Sequence, residues 1–156
     1  GGLGMGFTLA RTLALVDHDA TVEVVELVPE VIDWNRDLLG HCARHPLRDP
    51  RARVVLGDVR EAILAVKGHY DAMLLDVDNG PAGLSRPSNE RLYSDPGLAK
   101  ARDALAPGGV LGIWSAAEDR SFAARMRHIG FDVVEHRVRA RRDKGPRRTI
   151  WVGARA

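Results

Sequence analysis

Short runs of β-branched and apolar residues alternate with amphipathic segments along the chain, and this alternation constrains the fold more than any other feature. It predicts strands over residues 21–27, 53–56, 70–77, 110–115, 131–139 and 149–153. It predicts helices over residues 7–17, from Pro29 up to Gly40, after Asp58, over 96–105 and over 119–129. In the second helix, the apolar face is expected to comprise Val31, Trp34 and Leu38.

The predicted fold class is therefore α/β, with a Rossmann-like, doubly wound and mostly parallel sheet. The last two strands have no helix between them, so we expect them to pair as a C-terminal antiparallel hairpin. The length of 156 residues fits one domain, and we expect residues 1–156 to form it. The chain opens on a glycine loop of the kind that normally follows a strand. We therefore expect that the first strand is missing and that the domain is N-terminally truncated.

Composition narrows the class of protein. Hydrophobic residues make up 45% of the chain, and its single cysteine excludes a disulfide framework and predicts a cytoplasmic location. No apolar run approaches the roughly 18 residues that span a bilayer, so we expect no membrane partner. His41, Cys42 and His45 stand close together, but no second ligand cluster accompanies them, so we expect no metal.

A glycine loop and an acidic strand end are the first candidate binding features. Gly2, Gly4 and Gly6 follow the spacing G-x-G-x-G, not the G-x-G-x-x-G of a dinucleotide fingerprint. The tighter spacing lets backbone approach a nucleoside without cradling a pyrophosphate; a tight turn without a ligand is the alternative. Glu26, followed by Leu27, lies 20 positions after Gly6, where a carboxylate can accept hydrogen bonds from both ribose hydroxyls. A solvated acid at a strand end is the alternative for Glu26.

Acidic residues follow or end several of the predicted strands. They are Glu26, Asp58, Asp76, Asp78 and Glu118. Because ligands in such folds bind at the carboxyl ends of the strands, we expect these acids to gather in one negative crevice that suits a cationic ligand. Helix capping is the alternative; it explains Asp58 and Asp119 but explains the DVDNGP run from Asp76 to Pro81 poorly.

Five segments, in this order, resemble the spermidine synthase (aminopropyltransferase) family and, more widely, the class I S-adenosylmethionine-dependent methyltransferase fold that this family shares. They are GGLGMG, VVELVPEVIDW, DPRARVVLGD, YDAMLLDVDNGP and LAPGGVLGIWS. The resemblance implies a set of nucleoside-binding residues, namely Gly2, Gly4, Gly6, Glu26, Leu27, Asp58, Val59 and Asp76. Within this set, Glu26 would hold the ribose, and Asp58 and Val59 would contact the adenine.

The resemblance also implies an activity. Enzymes of this family transfer an aminopropyl group from decarboxylated S-adenosylmethionine to putrescine, and Asp76 stands where the family places its catalytic aspartate, with Asp78 in support. A sulfonium is already an activated electrophile, so the reaction requires no metal. The attacking amine, with an ordinary pKa near 10, must lose a proton that a carboxylate can accept or relay.

At three places the chain departs from the family pattern. Gly4 stands where the family usually carries an Asp that binds the aminopropyl amine of the donor. Gly97 and Leu98 replace aromatic residues near the acceptor, and Trp114 and Ser115 stand where the family usually places a Gln. Our leading hypothesis is aminopropyl transfer to an amine. A methyltransferase using intact S-adenosylmethionine, whose carboxylate suits Gly4, and a non-catalytic nucleoside-binding module are the alternatives.

Charge is distributed unevenly along the chain. Residues 136–148 hold six Arg, one Lys and one Asp and carry +6, whereas the whole chain carries +2, so the remainder carries −4. A charge-protected edge hairpin explains the basic segment as well as RNA or phosphate binding does, so we do not expect a nucleic-acid partner. The expected partners are a small-molecule amine or methyl acceptor and a second copy of the chain in a homodimer.

Overall fold

The computed structural model describes residues 1–77, 80–81, 91–141 and 144–156. These residues form the predicted α/β fold, in which parallel strand pairs are followed by an antiparallel hairpin. Two compact units, Gly1–Ala62 and Ile63–Ala156, are described separately below. The single domain over residues 1–156 stays a prediction. No helix within the described ranges is long and apolar enough to cross a membrane.

The first unit contains a two-stranded parallel sheet with helices before, between and after its strands. Its elements are α1 (Phe7–Leu13), β1 (Val22–Glu26), α2 (Pro29–Arg36), two 3-10 turns (Gly40–Ala43 and Pro46–Arg48), β2 (Ala52–Leu56) and the start of α3 (Val59–Leu64). Strands β1 and β2 pair in parallel, with Glu26 opposite Leu56 at their carboxyl ends. The core of this unit is formed by Leu3, Leu9, Leu13, Val24 and Ile32.

Helix α2 differs from the prediction in both its length and its buried face. It ends at Arg36, well before Gly40. Its buried residues are Ile32 and Asn35, whereas Trp34 is 48% exposed and Leu38 is 70% exposed. Assigning the apolar face from hydrophobicity alone was therefore wrong, because the buried polar residue Asn35 is stabilised by hydrogen bonds to backbone carbonyls.

The second unit is built on a four-stranded sheet in the order β3-β4-β6-β5. Its elements are β3 (Tyr70–Leu75), α4 (Asp95–Ala104), β4 (Leu105–Ser115), α5 (Phe122–Ile129), β5 (Phe131–Arg141) and β6 (Lys144–Arg155). Strands β3 and β4 are parallel, and β6 pairs antiparallel with both β4 and β5. The core packs α5 onto this sheet, with the rings of Phe122 and Trp151 4.7 Å apart.

The C-terminal hairpin forms as predicted, but its strands are longer than expected. They continue through the basic segment to Arg141 and resume at Lys144, so that Arg139 lies directly opposite Arg147. The backbone ladder can continue because long arginine side chains carry their charged ends into water.

Candidate active site

The glycine loop is closed on one side and open on the other. The Gly6 N–H donates to the Leu3 carbonyl over 2.9 Å, which closes a turn. Gly4 and Gly6 have φ angles of 51° and 80°, in the left-handed region that favours glycine. A Cβ on Gly6 would lie 2.8 Å from Oδ1 of Asn35, whereas a Cβ on Gly4 would meet no atom within 4 Å. The space beside Gly4 is therefore available to a ligand.

Glu26 fixes this loop to the carboxyl end of β1. The residue is 8% exposed; its Oε2 accepts the Leu3 N–H at 2.8 Å, and its Oε1 accepts the Val28 N–H at 2.9 Å. The Gly2 N–H donates to the Val25 carbonyl at 2.9 Å beside this contact. The alternative of a solvated acid is therefore wrong. Each carboxylate oxygen retains another lone pair that is able to accept a ribose hydroxyl. Ribose binding by Glu26 stays a prediction.

Asn35 is the loop-positioning residue that the sequence pattern did not reveal. It is 1% exposed, and its Nδ2 donates to the Gly4 carbonyl at 2.7 Å and to the Val31 carbonyl at 2.8 Å. The sequence contained only one signal for it: Asn35 stands four positions after Val31, so the two residues lie on the same face of a helix. Asn35 thus sets the orientation of the peptide at Gly4.

The end of β2 lies beside the end of β1. The N–H of Gly57, directly after β2, donates to the Glu26 carbonyl at 2.9 Å. Oδ1 of Asp58 accepts the backbone N–H of Arg60 at 2.8 Å, so Asp58 caps the first turn of α3, which begins at Val59. Leu27 is 54% exposed next to Glu26. The capping role proposed as the alternative for Asp58 is confirmed for one of its two oxygens.

Asp76 follows β3 directly in the second unit and is exposed. The neighbouring Val77 carbonyl accepts a hydrogen bond of 3.4 Å from the hydroxyl of Tyr93, which is 4% exposed. A buried ring therefore holds the backbone next to Asp76. Asp78, the second predicted catalytic residue, lies outside the described residues.

Gly80 brings the segment after Asp76 against the end of β4. It has a φ angle of 78°, and a Cβ there would collide with the Trp114 carbonyl and lie 2.7 Å from the Cα of Ser115. The Ser115 hydroxyl donates to the Ala117 carbonyl at 2.9 Å. Only glycine fits this approach, so Gly80 is a second positioning residue, and the DNGP motif contained its signal.

The remaining predicted acids divide between the two units. Asp119 accepts the N–H groups of Ser121 at 2.9 Å and Phe122 at 3.1 Å, which confirms its capping role. Glu118 follows β4 and is exposed. Glu26 and Asp58 end or follow paired strands of the first unit, and Asp76 and Glu118 follow paired strands of the second. The gathering of all five acids in one crevice stays a prediction.

Metal-binding side chains are not grouped in the part of the chain that the structure describes. No set of three or more His, Cys, Asp or Glu residues there is arranged to hold a metal ion. His41 and Cys42 contact each other at 3.5 Å between Nε2 and Sγ, without further metal-binding side chains in that group.

Solved structures of known proteins share this fold, which is that of class I S-adenosylmethionine-dependent methyltransferases. Spermidine synthase from Thermotoga maritima has a TM-score of 0.75 at 19% identity, covering 99% of this chain and 51% of that one. Human methyltransferase-like protein 13 in complex with SAH has a TM-score of 0.74 at 20% identity, covering 99% of this chain and 69% of that one.

Sequence similarity identifies the family within this fold. Residues 4–122 match the model of the spermine/spermidine synthase domain, and the chain belongs to that family. Putrescine N-methyltransferase 1 from Nicotiana tabacum is 33% identical over 113 residues, which are 70% of this chain and 28% of that relative. Putrescine N-methyltransferase 1 from Nicotiana attenuata has the same identity over the same length, covering 27% of the relative. The chain thus spans less than a third of the length of these relatives.

Proposed function

We propose that the protein is a transferase that takes an S-adenosylmethionine-type nucleoside as donor and a small amine as acceptor. One observation carries this proposal: the glycine loop is anchored by two buried polar side chains, Glu26 and Asn35, and is open at Gly4. A loop held in this way presents backbone to a ligand in a fixed geometry, so little conformational freedom is lost on binding.

We propose that the nucleoside is held by the residues around this loop. Glu26 can accept ribose hydroxyls with its remaining lone pairs. Leu27, which is 54% exposed, offers an apolar surface beside Glu26. Asp58 and Val59, at the start of α3, are proposed to contact the adenine, and the second oxygen of Asp58 can accept its amino group.

The transferred group is proposed to be a methyl, which reverses the preference drawn from the sequence. Intact S-adenosylmethionine carries a carboxylate that an acidic residue at position 4 would repel, whereas Gly4 leaves open space. The putrescine N-methyltransferases, at 33% identity, support this choice and suggest a small diamine as acceptor. Aminopropyl transfer is the second candidate, and the match of residues 4–122 to the spermine/spermidine synthase domain favours it.

Asp76 is proposed as the base, and Asp78 as its support. The amine arrives protonated, since its ordinary pKa is near 10, and a carboxylate can hold this cation and then take up its proton. The nitrogen lone pair then attacks the carbon on sulfur, a C–N bond forms, and the C–S bond breaks to leave a neutral thioether. The backbone beside Asp76 is fixed by Tyr93 and Gly80, which supports the alignment that this displacement needs.

Product analysis tests the proposal directly. The full-length protein is incubated with putrescine and either intact or decarboxylated S-adenosylmethionine, and the products are identified by mass spectrometry. We expect an N-methylated diamine from the intact donor and no aminopropyl product from the other. An aminopropyl product alone contradicts methyl transfer. A folded protein that yields neither product contradicts both enzyme hypotheses and favours a non-catalytic module.

A matched pair of variants tests the base. Asp76→Asn should lower kcat about 10²- to 10⁴-fold, the usual contribution of general-base catalysis. Asp71→Asn removes the same charge from an exposed position on β3 and should leave kcat unchanged. Equal turnover by both variants removes Asp76 from the mechanism.

A further inference from the structure

The C-terminal hairpin continues beyond the rest of its sheet. The pairing of β4 with β6 ends at Ser115 opposite Thr149, whereas the pairing of β5 with β6 continues to Arg141 opposite Lys144. Toward its tip, the hairpin is therefore a two-stranded ribbon to which no third strand is bonded among the described residues. Such a ribbon is only marginally stable by itself, so unfavourable residue pairs within it call for a reason.

Arginines occupy one face of this ribbon. Residues directly opposite each other in an antiparallel pair, and residues two positions apart on one strand, lie on the same face. Arg137 and Arg139 of β5 therefore share a face with Arg147 of β6, which lies directly opposite Arg139. It is the face toward α5, because Trp151 lies on it and packs against Phe122. All three arginines are exposed.

A fourth arginine extends this face, and two acids act on it. Arg127 of α5 is exposed and donates from Nη2 to the Val133 carbonyl at 3.0 Å, which places it beside β5. Glu135 pairs with Arg137 at 2.8 Å and raises its pKa, to which the charge of Glu118 adds. The other three arginines form no ion pair with any residue that the structure describes. We call the four arginines the basic face.

The basic face is unfavourable for the hairpin itself. Like charges directly opposite each other destabilise a strand pair, and Arg139 and Arg147 form such a pair. A charged edge discourages pairing with a foreign strand, but a single charge achieves this and two opposed arginines are not required. An anionic partner would remove the repulsion between them, so the basic face suits such a partner.

The residues on the two sides of the hairpin distinguish between anionic partners. Protein interfaces need an apolar or aromatic core, and single-stranded nucleic acid stacks on aromatic rings, whereas Trp151 on the basic face is fully buried. A membrane would take up the exposed Val134 and Val138, which lie on the opposite face, so the arginines would point away from it. A nucleic-acid duplex needs only cations, because binding releases the counterions of its dense phosphates.

We propose that the basic face binds the phosphate backbone of double-stranded DNA, without sequence preference. Guanidinium groups bind phosphate oxygens through two parallel hydrogen bonds. The major groove of DNA, about 12 Å wide, admits a two-stranded β-ribbon, whereas that of double-stranded RNA is too narrow. This proposal reverses the expectation from sequence that nucleic acid is not a partner, because the opposed positions of Arg139 and Arg147 are visible only in the structure.

Fluorescence anisotropy of a labelled DNA duplex of about 20 base pairs tests the proposal on the full-length protein. The slope of log K against log[NaCl] should be about −3 to −4, as expected for about four phosphate contacts. No binding at low salt overturns the proposal, and so does tighter binding of double-stranded RNA, single-stranded DNA or a polyglutamate peptide. The measurement needs neither donor nor acceptor, so its outcome does not depend on the proposed transferase reaction.

A matched pair of double variants locates the contact. Arg139→Gln with Arg147→Gln should weaken duplex binding at least about tenfold and reduce the magnitude of the salt slope by about two. Its stability against urea should not fall, because the opposed charges are removed. Arg11→Gln with Arg53→Gln removes the same charge from exposed positions of the first unit and should bind as the wild type does. Equal loss of binding in the two double variants indicates diffuse attraction and contradicts a defined surface.

Discussion

Glu26 and Asn35 bind two successive residues of the glycine loop, Glu26 as a hydrogen-bond acceptor and Asn35 as a donor. The Glu26 carboxylate accepts the N–H of Leu3, and the Asn35 amide donates to the carbonyl of Gly4. Both side chains are buried, so neither bond competes strongly with water. The position of the loop therefore depends on two side chains that lie outside it.

The first prediction concerns this anchor. Glu26→Gln replaces one accepting oxygen by an NH₂ group that faces a backbone N–H, so one of the two hydrogen bonds that Glu26 accepts, from Leu3 and Val28, is lost. We expect the free energy of unfolding to fall by about 1–3 kcal/mol, measured by urea denaturation, and nucleoside binding to weaken. Glu30→Gln removes the same charge from an exposed position and is the control. Equal effects of the two variants contradict the anchoring role.

The second prediction concerns the close approach at Gly80. Gly80→Ala introduces a Cβ that collides with the Trp114 carbonyl, at a φ angle that alanine rarely adopts. We expect the free energy of unfolding to fall by about 1–3 kcal/mol, measured by denaturation. Gly57→Ala is the control, because a Cβ there meets no atom within 4 Å. A Gly80→Ala variant as stable as Gly57→Ala contradicts the close contact with β4.

Residue type decided which parts of the candidate site could be predicted. Glycines, and acids after strands, carry specific signals, so Gly4, Glu26 and Asp76 were identified as candidates from sequence. Asn35 was not, because a polar residue on a helix is usually solvated, and its burial depends on two carbonyls from different segments. The structural role of Glu26 was missed for the same reason: its partners are backbone N–H groups, which leave no trace in sequence.

At the scale of elements, Arg51 joins the end of α1 to the start of β2. Its guanidinium donates to the carbonyls of Leu13 at 2.8 Å and Val16 at 3.2 Å, and it pairs with Asp49 at 2.8 Å. The hydrogen bond from Arg51 lowers the pKa of Asp49 to about 2. Because helix carbonyls at a carboxyl end lack partners within the helix, this contact also caps α1.

The third prediction follows from this pKa. A carboxyl whose pKa is lower in the folded state contributes stability above its unfolded value near 3.9, and that contribution is lost as the pH falls through about 2. Asp49→Asn should therefore reduce the drop in Tm of the wild type between pH 4 and pH 2. Asp37→Asn, at an exposed position, is the control and should leave the drop unchanged. Parallel Tm profiles for wild type and Asp49→Asn contradict this assignment.

The fourth prediction concerns the C-terminal hairpin. Arg139 and Arg147 are directly opposite on β5 and β6, and like charges at such positions are unfavourable. Arg147→Glu should stabilise the protein by about 0.2–1 kcal/mol, measured by denaturation at low salt, and the gain should shrink as salt is added. Arg120→Glu, at an exposed position, is the control. A salt-independent or negative change contradicts an electrostatic cause.

At the scale of the whole molecule, strand alternation predicted the fold class because hydrophobic periodicity is a local property. The parallel pairs and the C-terminal hairpin are confirmed. The end of α2 and the full extent of β5 and β6 were not predicted. They depend on tertiary contacts, such as the burial of Asn35 and the cross-strand pairing of basic residues, which local patterns do not encode.

The putrescine N-methyltransferases are each more than three times as long as the part of them that this chain matches. Donor choice, however, is proposed to depend on one position within the chain, Gly4. Its φ angle of 51° is one that Asp tolerates better than most residues, and a side chain there would enter open space.

The fifth prediction is that Gly4 makes the protein prefer intact S-adenosylmethionine as its donor. Titration calorimetry compares intact and decarboxylated S-adenosylmethionine on the full-length wild type and on Gly4→Asp. The wild type should bind the intact donor about tenfold more tightly than the decarboxylated donor. Gly4→Asp should reverse this preference, because its carboxylate repels the carboxylate of the intact donor and attracts the ammonium group of the decarboxylated donor. A wild type that prefers the decarboxylated donor contradicts methyl transfer from intact S-adenosylmethionine.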